Sequence, residues 1–249
     1  MIPKIIHWCW VGPDSPPPFI KKCVASWKKY MPDYEIRLWD RNSFDMKSVP
    51  YVKEAFEAKK WAFVADYIRL YALYHYGGIY LDSDVMVYKS FDPFLNLDFF
   101  SGQDVYKTMN VWGVEAAILG AIPKHSIIGE LIEYYNNYQV TFNNNGVPNL
   151  FSIPPIISKV LEPLGYQYKD EDFELTKGIK IFSTKTFCNC NSIKYRKINY
   201  AFHINTNYYM YDGRGVFFKL CWKFGLLKLY RNIETITGKL KMLANLKFI

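Results

Sequence analysis

The chain has 249 residues, half of them hydrophobic, and a formal net charge of +8. That length suits a single domain able to bury roughly 70–75% of its unfolded surface, and no 18-residue apolar run is present to span a membrane. Its five cysteines (Cys9, Cys23, Cys188, Cys190 and Cys221) are odd in number and include no C-x-x-C pair, which argues against a disulfide framework or a zinc site.

Met1-Ile2-Pro3-Lys4 leads straight into an apolar run without a cleavage site, so no signal peptide is expected. A reducing cytoplasm is the expected home. The charge is unevenly placed. Residues 214–249 hold eight Lys and Arg against the single acid Glu234, so this segment carries +7 of the +8. Nucleic-acid binders more often spread their basic residues over a folded face, and no nucleic-acid partner is expected. Residues 216–249 interleave Phe217, Phe218, Trp222, Phe224, Leu226 and Leu227 with Lys219, Lys223, Lys228 and Arg231. Such a tail suits an anionic membrane surface, or else a helix docked on the core. The expected division is a catalytic domain over 1–215 followed by this tail over 216–249.

In chain order, Lys4 to Trp10 reads as a buried parallel strand, and Pro16 to Pro18 as a stiff turn before a helix from Phe19 to Tyr30. A second strand covers Tyr34 to Trp39 and ends at Asp40. Strand, helix, strand at this spacing opens a nucleotide-binding α/β layer. Tyr51 to Phe56 reads as a short helix.

The most informative stretch is Trp61 to Val87, WAFVADYIRLYALYHYGGIYLDSDVMV. Apolar and aromatic residues recur at Phe63, Tyr67, Leu70, Tyr71 and Tyr74, close to the helical period. Gly77 and Gly78 stop that helix, because glycine accepts the left-handed conformation a helix end needs. The strand Ile79-Tyr80-Leu81 then delivers Asp82-Ser83-Asp84 at its carboxyl end, the end at which open α/β sheets bind ligands. Two carboxylates about 5 Å apart repel by roughly 3 kcal/mol at an effective dielectric near 20. A hard divalent ion such as Mg2+ or Mn2+ turns that repulsion into attraction. Asp66 and Arg69, three apart, share one helical face; they are either a surface ion pair or a third carboxylate and a guanidinium beside the cation. Tyr80 and Asp82 point to the same side of their strand.

Strands are further expected over Phe99 to Gln103, Val111 to Leu119, Ile179 to Phe182 and Asn199 to Ile204, the last containing His203. A helix is expected from Ser126 to Tyr138 and a loop at Asn143-Asn144-Asn145-Gly146. Asp104 and Glu115 are candidate acceptor-side carboxylates, or structural ones.

The string A-D-Y-I-R-L-x-x-L-x-x-Y-G-G-I-Y-L-D-S-D-V, together with the opening I-P-K-I-I-H-W-C-W-V-G, resembles glycosyltransferase family 32, whose sugar-binding region contains the DXD motif. The likeness covers residues 2 to about 92. It implies an α/β fold of the GT-A type, a Rossmann-like mixed sheet flanked by helices. It also implies transfer of a hexose from a nucleoside diphosphate sugar, a UDP-sugar ahead of a GDP-sugar, to a glycan or lipid-linked oligosaccharide, with retention of configuration. On this resemblance Asp66, Arg69, Asp82 and Asp84 are the catalytic set, Asp66 and Arg69 holding the donor sugar's hydroxyls. Trp10, Val11, Tyr80 and Asp82 contact the nucleotide sugar, Trp10 by stacking on its base. Asp82, Asp84 and His203 hold Mn2+ or Mg2+, neutral imidazole being a common ligand for such ions. The family's loop tryptophan is missing, since Asn205 to Tyr211 reads NTNYYMY, and Val114-Glu115 stands where the family usually carries an asparagine. The expected setting is cell-surface polysaccharide synthesis, capsule included, at the inner face of the cell membrane. Two other readings stay open: a haloacid-dehalogenase-like phosphoryl-transfer enzyme, though Met86 stands where that type expects Thr or Val, and a non-catalytic glycan-binding subunit.

Overall fold

A computed structural model of the chain describes residues 1–106, 111–188 and 199–204. The elements in chain order are β1 (Ile5–Cys9), α1 (Pro18–Tyr30), β2 (Glu35–Trp39), α2 (Pro50–Glu57), α3 (Trp61–Tyr76), β3 (Gly78–Leu81) and β4 (Val85–Val87). They continue with β5 (Phe99–Tyr106), β6 (Val111–Ala121), α4 (Ser126–Asn137), α5 (Ile153–Leu161), β7 (Phe173–Thr176), β8 (Ile179–Phe182), β9 (Phe187–Cys188) and β10 (Ala201–His203).

Seven strands form one mixed sheet in the order β2-β1-β3-β6-β5-β8-β7. The β1 strand pairs in parallel with both β2 and β3, as a buried apolar run predicts. On the far side of β3 the sheet turns antiparallel, through β6 and β5. A separate three-stranded sheet, β4-β10-β9, stands beside it.

Two apolar cores cover the two sides. One gathers α2, α3, α4 and α5 around Tyr51, Ile68, Leu73, Leu131 and Ile157. The other gathers α1 and the β4 strand around Trp8, Trp10, Trp27, Phe91 and Phe187. The i, i+2 alternation of Trp8 and Trp10 places both in the second core, as their shared strand face requires. The α3 helix sits in the first core and is buried on nearly every side, including Val64, Tyr67, Ile68, Leu70 and Leu73. A helix apolar all round belongs inside a protein, and its polar residues must then find partners inside too.

The step from α3 to the site uses two glycines in sequence. Gly77 has φ +62° and Gly78 has φ +104°, conformations that side chains with a Cβ rarely adopt. A Cβ on Gly78 would also lie 2.6 Å from the Ile5 carbonyl of β1. The sharp reversal from helix to central strand therefore depends on both residues.

The basic segment 214–249 and the stretch 205–211 lie outside the described residues. Among the described residues no helix is long and apolar enough to cross a membrane.

Candidate functional site

The site lies where β3 runs out. Asp82 N–H donates to the Ala117 carbonyl (2.8 Å), and Val85 N–H donates back to the Asp82 carbonyl (2.9 Å). These bonds hold Asp82-Ser83-Asp84 in a tight turn between β3 and β4. The β4–β10 pairing sets Val85 opposite His203, and Ile204 N–H donates to the Asp84 carbonyl (3.2 Å). The short second sheet therefore carries a histidine from late in the chain to the D-x-D turn.

His203 Nε2 lies 3.2 Å from Asp84 Oδ1 and 3.9 Å from Asp82 Oδ2. Asp82, Asp84 and His203 each offer one ligand atom, and these atoms all lie within 4.8 Å of one another. Two carboxylate oxygens and an imidazole nitrogen suit Mn2+ or a similar divalent ion. The donor set fits a cation by its charge as well. Burial alone would lower the His203 pKa, but the Asp84 and Asp82 carboxylates outweigh it and raise the imidazole to about 9. In the absence of a metal, a proton on His203 serves as the cation of this acid-rich turn.

Asp82 joins that cluster to a second, fully internal one. Its Oδ1 accepts a hydrogen bond from the Tyr80 hydroxyl (3.0 Å) and lies 3.4 Å from Arg69 Nη2. Arg69 Nη2 also pairs with Asp66 Oδ1 at 2.8 Å. Arg69 Nη1 donates to the Ala116 carbonyl, and the guanidinium carbon stands 4.6 Å from the Tyr80 ring centre. The other oxygen of Asp66 accepts from Ile153 N–H at the start of α5 (3.3 Å).

Asp66 is 6% exposed and Arg69 4%, so the surface ion-pair reading is excluded. Burial pushes the Asp66 carboxyl up to about 7 although Arg69 pulls it back. For Arg69, burial works downward, but Asp82, Tyr80 and Asp66 together hold the guanidinium above its ordinary value.

The remaining expected site residues are placed as follows. Tyr80 is buried, and its hydroxyl is spent on Asp82. Trp10 is 6% exposed within the second core, and its Nε1 donates to the Asp14 carbonyl (2.7 Å). Val11 is buried, and its carbonyl accepts from Arg41 Nε (2.8 Å). Asp82, Asp84, His203, Tyr80, Arg69 and Asp66 thus form one continuous network.

Two backbone partners of that network left no signal in the sequence. The Ala116 carbonyl and the Ile153 N–H are backbone groups, which no residue type marks. Glu115 is buried, with Oε2 4.0 Å from His203 Nδ1. Burial raises its carboxyl well above the ordinary range, against the pull of His203. Asp104 lies on β5 without joining the cluster of Asp82, Asp84 and His203.

The site thus sets a D-x-D turn at the end of the central β3 strand beside a histidine brought to it by the second sheet. Residues 17–100 match the family described as the glycosyltransferase sugar-binding region containing the DXD motif. These residues are similar to that region, and the similar proteins include glycosyltransferases and mannosyltransferases.

One similar protein is mannosyl phosphorylinositol ceramide synthase CSH1 of Saccharomyces cerevisiae, 30% identical over 146 residues, which are 56% of this chain and 36% of that one. Another is the uncharacterized glycosyltransferase L373 of Acanthamoeba polyphaga mimivirus, 33% identical over 134 residues, 51% of this chain and 53% of the relative. The chain therefore spans about a third to a half of these relatives' length. Among solved structures, a glycosyltransferase involved in the glycosylation of the major capsid of PBCV-1 aligns with a TM-score of 0.46 at 12% identity, over 81% of this chain and 93% of that one.

Proposed function

We propose that the chain is a metal-dependent hexosyltransferase of the GT-A type, moving a hexose from a nucleoside diphosphate sugar to a glycan or a lipid-linked acceptor with retention of configuration. The observation that carries this reading is the meeting of Asp82, Asp84 and His203, with ligand atoms all within 4.8 Å of one another, inside a chain whose relatives are glycosyltransferases. Mn2+ or Mg2+ held there would neutralise the diphosphate leaving group as a Lewis acid.

The chain's own residues have distinct parts in this proposal. Asp84 and His203 offer their ligand atoms directly. Asp82 is oriented through Oδ1 by Tyr80 and Arg69, which leaves Oδ2 facing His203. Asp66 fixes Arg69 from the other side. Arg69 is therefore assigned to holding Asp82 and the polar floor of the donor site, rather than to meeting the donor as a free cation.

The mannosyltransferase names among the relatives make mannose the first sugar to test, on UDP and on GDP. A thermal-shift panel of nucleotide sugars with and without Mn2+ tests the reading, because a specific ligand stabilises in proportion to its occupancy. One nucleotide sugar is expected to raise the melting temperature only together with Mn2+, and to be consumed when acceptors are added. No shift with any member, or phosphate release from simple phosphomonoesters instead, would overturn it; binding without turnover against a broad acceptor set would favour a glycan-binding subunit.

We further propose that residues 216–249 form a tail distinct from the catalytic domain 1–215, and that it attaches the protein to an anionic membrane surface at the cytoplasmic side. About 1 kcal/mol per basic residue near such a surface supports reversible attachment. Salt-sensitive sedimentation with anionic liposomes is the expected result, and failure of the intact chain to sediment would end the idea.

A further inference from the structure

Glu115 is 3% exposed, and among the described residues neither of its carboxyl oxygens has a hydrogen-bond partner. Burial strips water from a carboxyl, so one left without partners lowers stability and calls for an explanation. Its backbone is well held, with Ser101 Oγ donating to the Glu115 carbonyl (2.9 Å). Space for the side chain comes from β5, where a Cβ on Gly102 would lie only 2.7 Å from Glu115 Oε1. The carboxyl is thus accommodated by the neighbouring strand, yet left unsatisfied.

The other oxygen supplies the clue. Glu115 Oε2 lies 4.0 Å from His203 Nδ1, while the opposite ring nitrogen, Nε2, faces Asp84 and Asp82. An imidazole that ligates a cation through Nε2 must carry its proton on Nδ1, and a buried N–H needs an acceptor. Carboxylates commonly take that place behind a metal-bound histidine, fixing both the ring and its tautomer.

We propose that Glu115 is this acceptor: a positioning residue that holds His203 with Nε2 turned toward Asp82 and Asp84, in an Asp–His–Glu relay built around the cation site. The inference rests on the metal-dependent reading above. Closing 4.0 Å to an ordinary hydrogen bond of about 3 Å needs a shift of about 1 Å, within reach of an adjustment of the Glu115 side chain toward the ring. It also accounts for a carboxyl without partners beside a histidine that has acids at both nitrogens.

The test is a titration of the full chain with Mn2+ alone, following free Mn2+ by electron paramagnetic resonance. Glu115→Leu should weaken Mn2+ binding by about 10- to 100-fold, while its metal-free melting temperature holds or rises because an unsatisfied buried carboxyl has gone. Glu115→Gln, whose amide oxygen can still accept from Nδ1, should recover most of the affinity. In a His203→Ala background, Glu115→Leu should cost nothing more, since its effect runs through the ring. Should Glu115→Leu fail to fold, Glu115→Met takes its place in the same cycle.

Unchanged affinity in Glu115→Leu would overturn the inference, and so would an equal loss with and without His203. Asp84→Asn separates this from the larger reading. If wild type binds no Mn2+, or binds it no better than Asp84→Asn does, the metal centre itself is wrong and this inference falls with it. If Asp84→Asn loses Mn2+ and Glu115→Leu does not, only the role of Glu115 is wrong.

Discussion

Two polar clusters meet at Asp82, and they are built on opposite principles. The Asp66–Arg69 cluster on α3 is closed: both Asp66 oxygens have partners, and Arg69 is shared among Asp66, Asp82 and the Ala116 carbonyl. The Asp84–His203–Glu115 cluster beyond β3 is open: Asp82, Asp84 and Glu115 surround one imidazole, and the Glu115 carboxyl has no hydrogen-bond partner among the described residues. A buried pair supplied with every partner serves position. A surplus of acid at a strand end, with a histidine among it, is the arrangement the proposed cation would use. The side chain of Asp82 remains 26% exposed and stands between the two, so the closed cluster sets the aim of the open one.

The largest expected effect breaks the closed cluster. Arg69→Met leaves Asp66 buried and uncompensated, and removing one partner of a buried ion pair typically costs about 3–5 kcal/mol. Urea unfolding should report that loss, and Asp66→Asn in the same chain should restore part of it. Full stability in Arg69→Met would mean that the pair holds nothing together.

The next effect reads the open cluster without a metal. His203 has its pKa raised from 6.5 to about 9 in the folded state, so the stability its proton supplies is fully present below 6.5. It is lost as pH rises through 9. The loss amounts to about 3 kcal/mol, taking 1.36 kcal/mol per unit. Chelator-treated protein should therefore lose stability between pH 6.5 and 9 more steeply than His203→Gln does. Saturating Mn2+, which binds neutral imidazole, should flatten that slope. Identical profiles for the two chains would remove His203 from the charged cluster.

Asp84→Asn follows, with the fold intact and hexosyl transfer reduced at least about a hundredfold, or roughly 2.7 kcal/mol of transition-state stabilisation. Near-normal turnover in saturating Mn2+ would contradict the metal assignment. The smallest effect tests the link between the clusters. Tyr80→Phe removes one hydrogen bond to Asp82 Oδ1, worth about 1 kcal/mol, and should weaken Mn2+ binding by about fivefold at unchanged fold. An affinity equal to wild type would show that Arg69 alone aims Asp82.

Much of this arrangement is legible along the chain because its causes are local. The helical period from Trp61, the glycine pair that ends α3, the short apolar strand and the D-x-D at its end are all fixed by residues within a few positions of one another. Spacing alone sets Asp66 and Arg69 on one helical face, and Tyr80 and Asp82 on one strand face. Pattern fails where partners are distant. The β4, β7 and β9 strands are only two to four residues long and take their conformation from pairing. Nothing in a three-residue spacing says whether a charged pair faces solvent or core; the packing of α2, α4 and α5 around α3 decides that for Asp66 and Arg69. Likewise, sequence marks His203 only as a histidine in a strand and Glu115 only as an acid in another. Pairing of β4 with β10 and of β3 with β6 brings both to the D-x-D turn, and only that long-range register gathers separate acids and one imidazole into a single cluster.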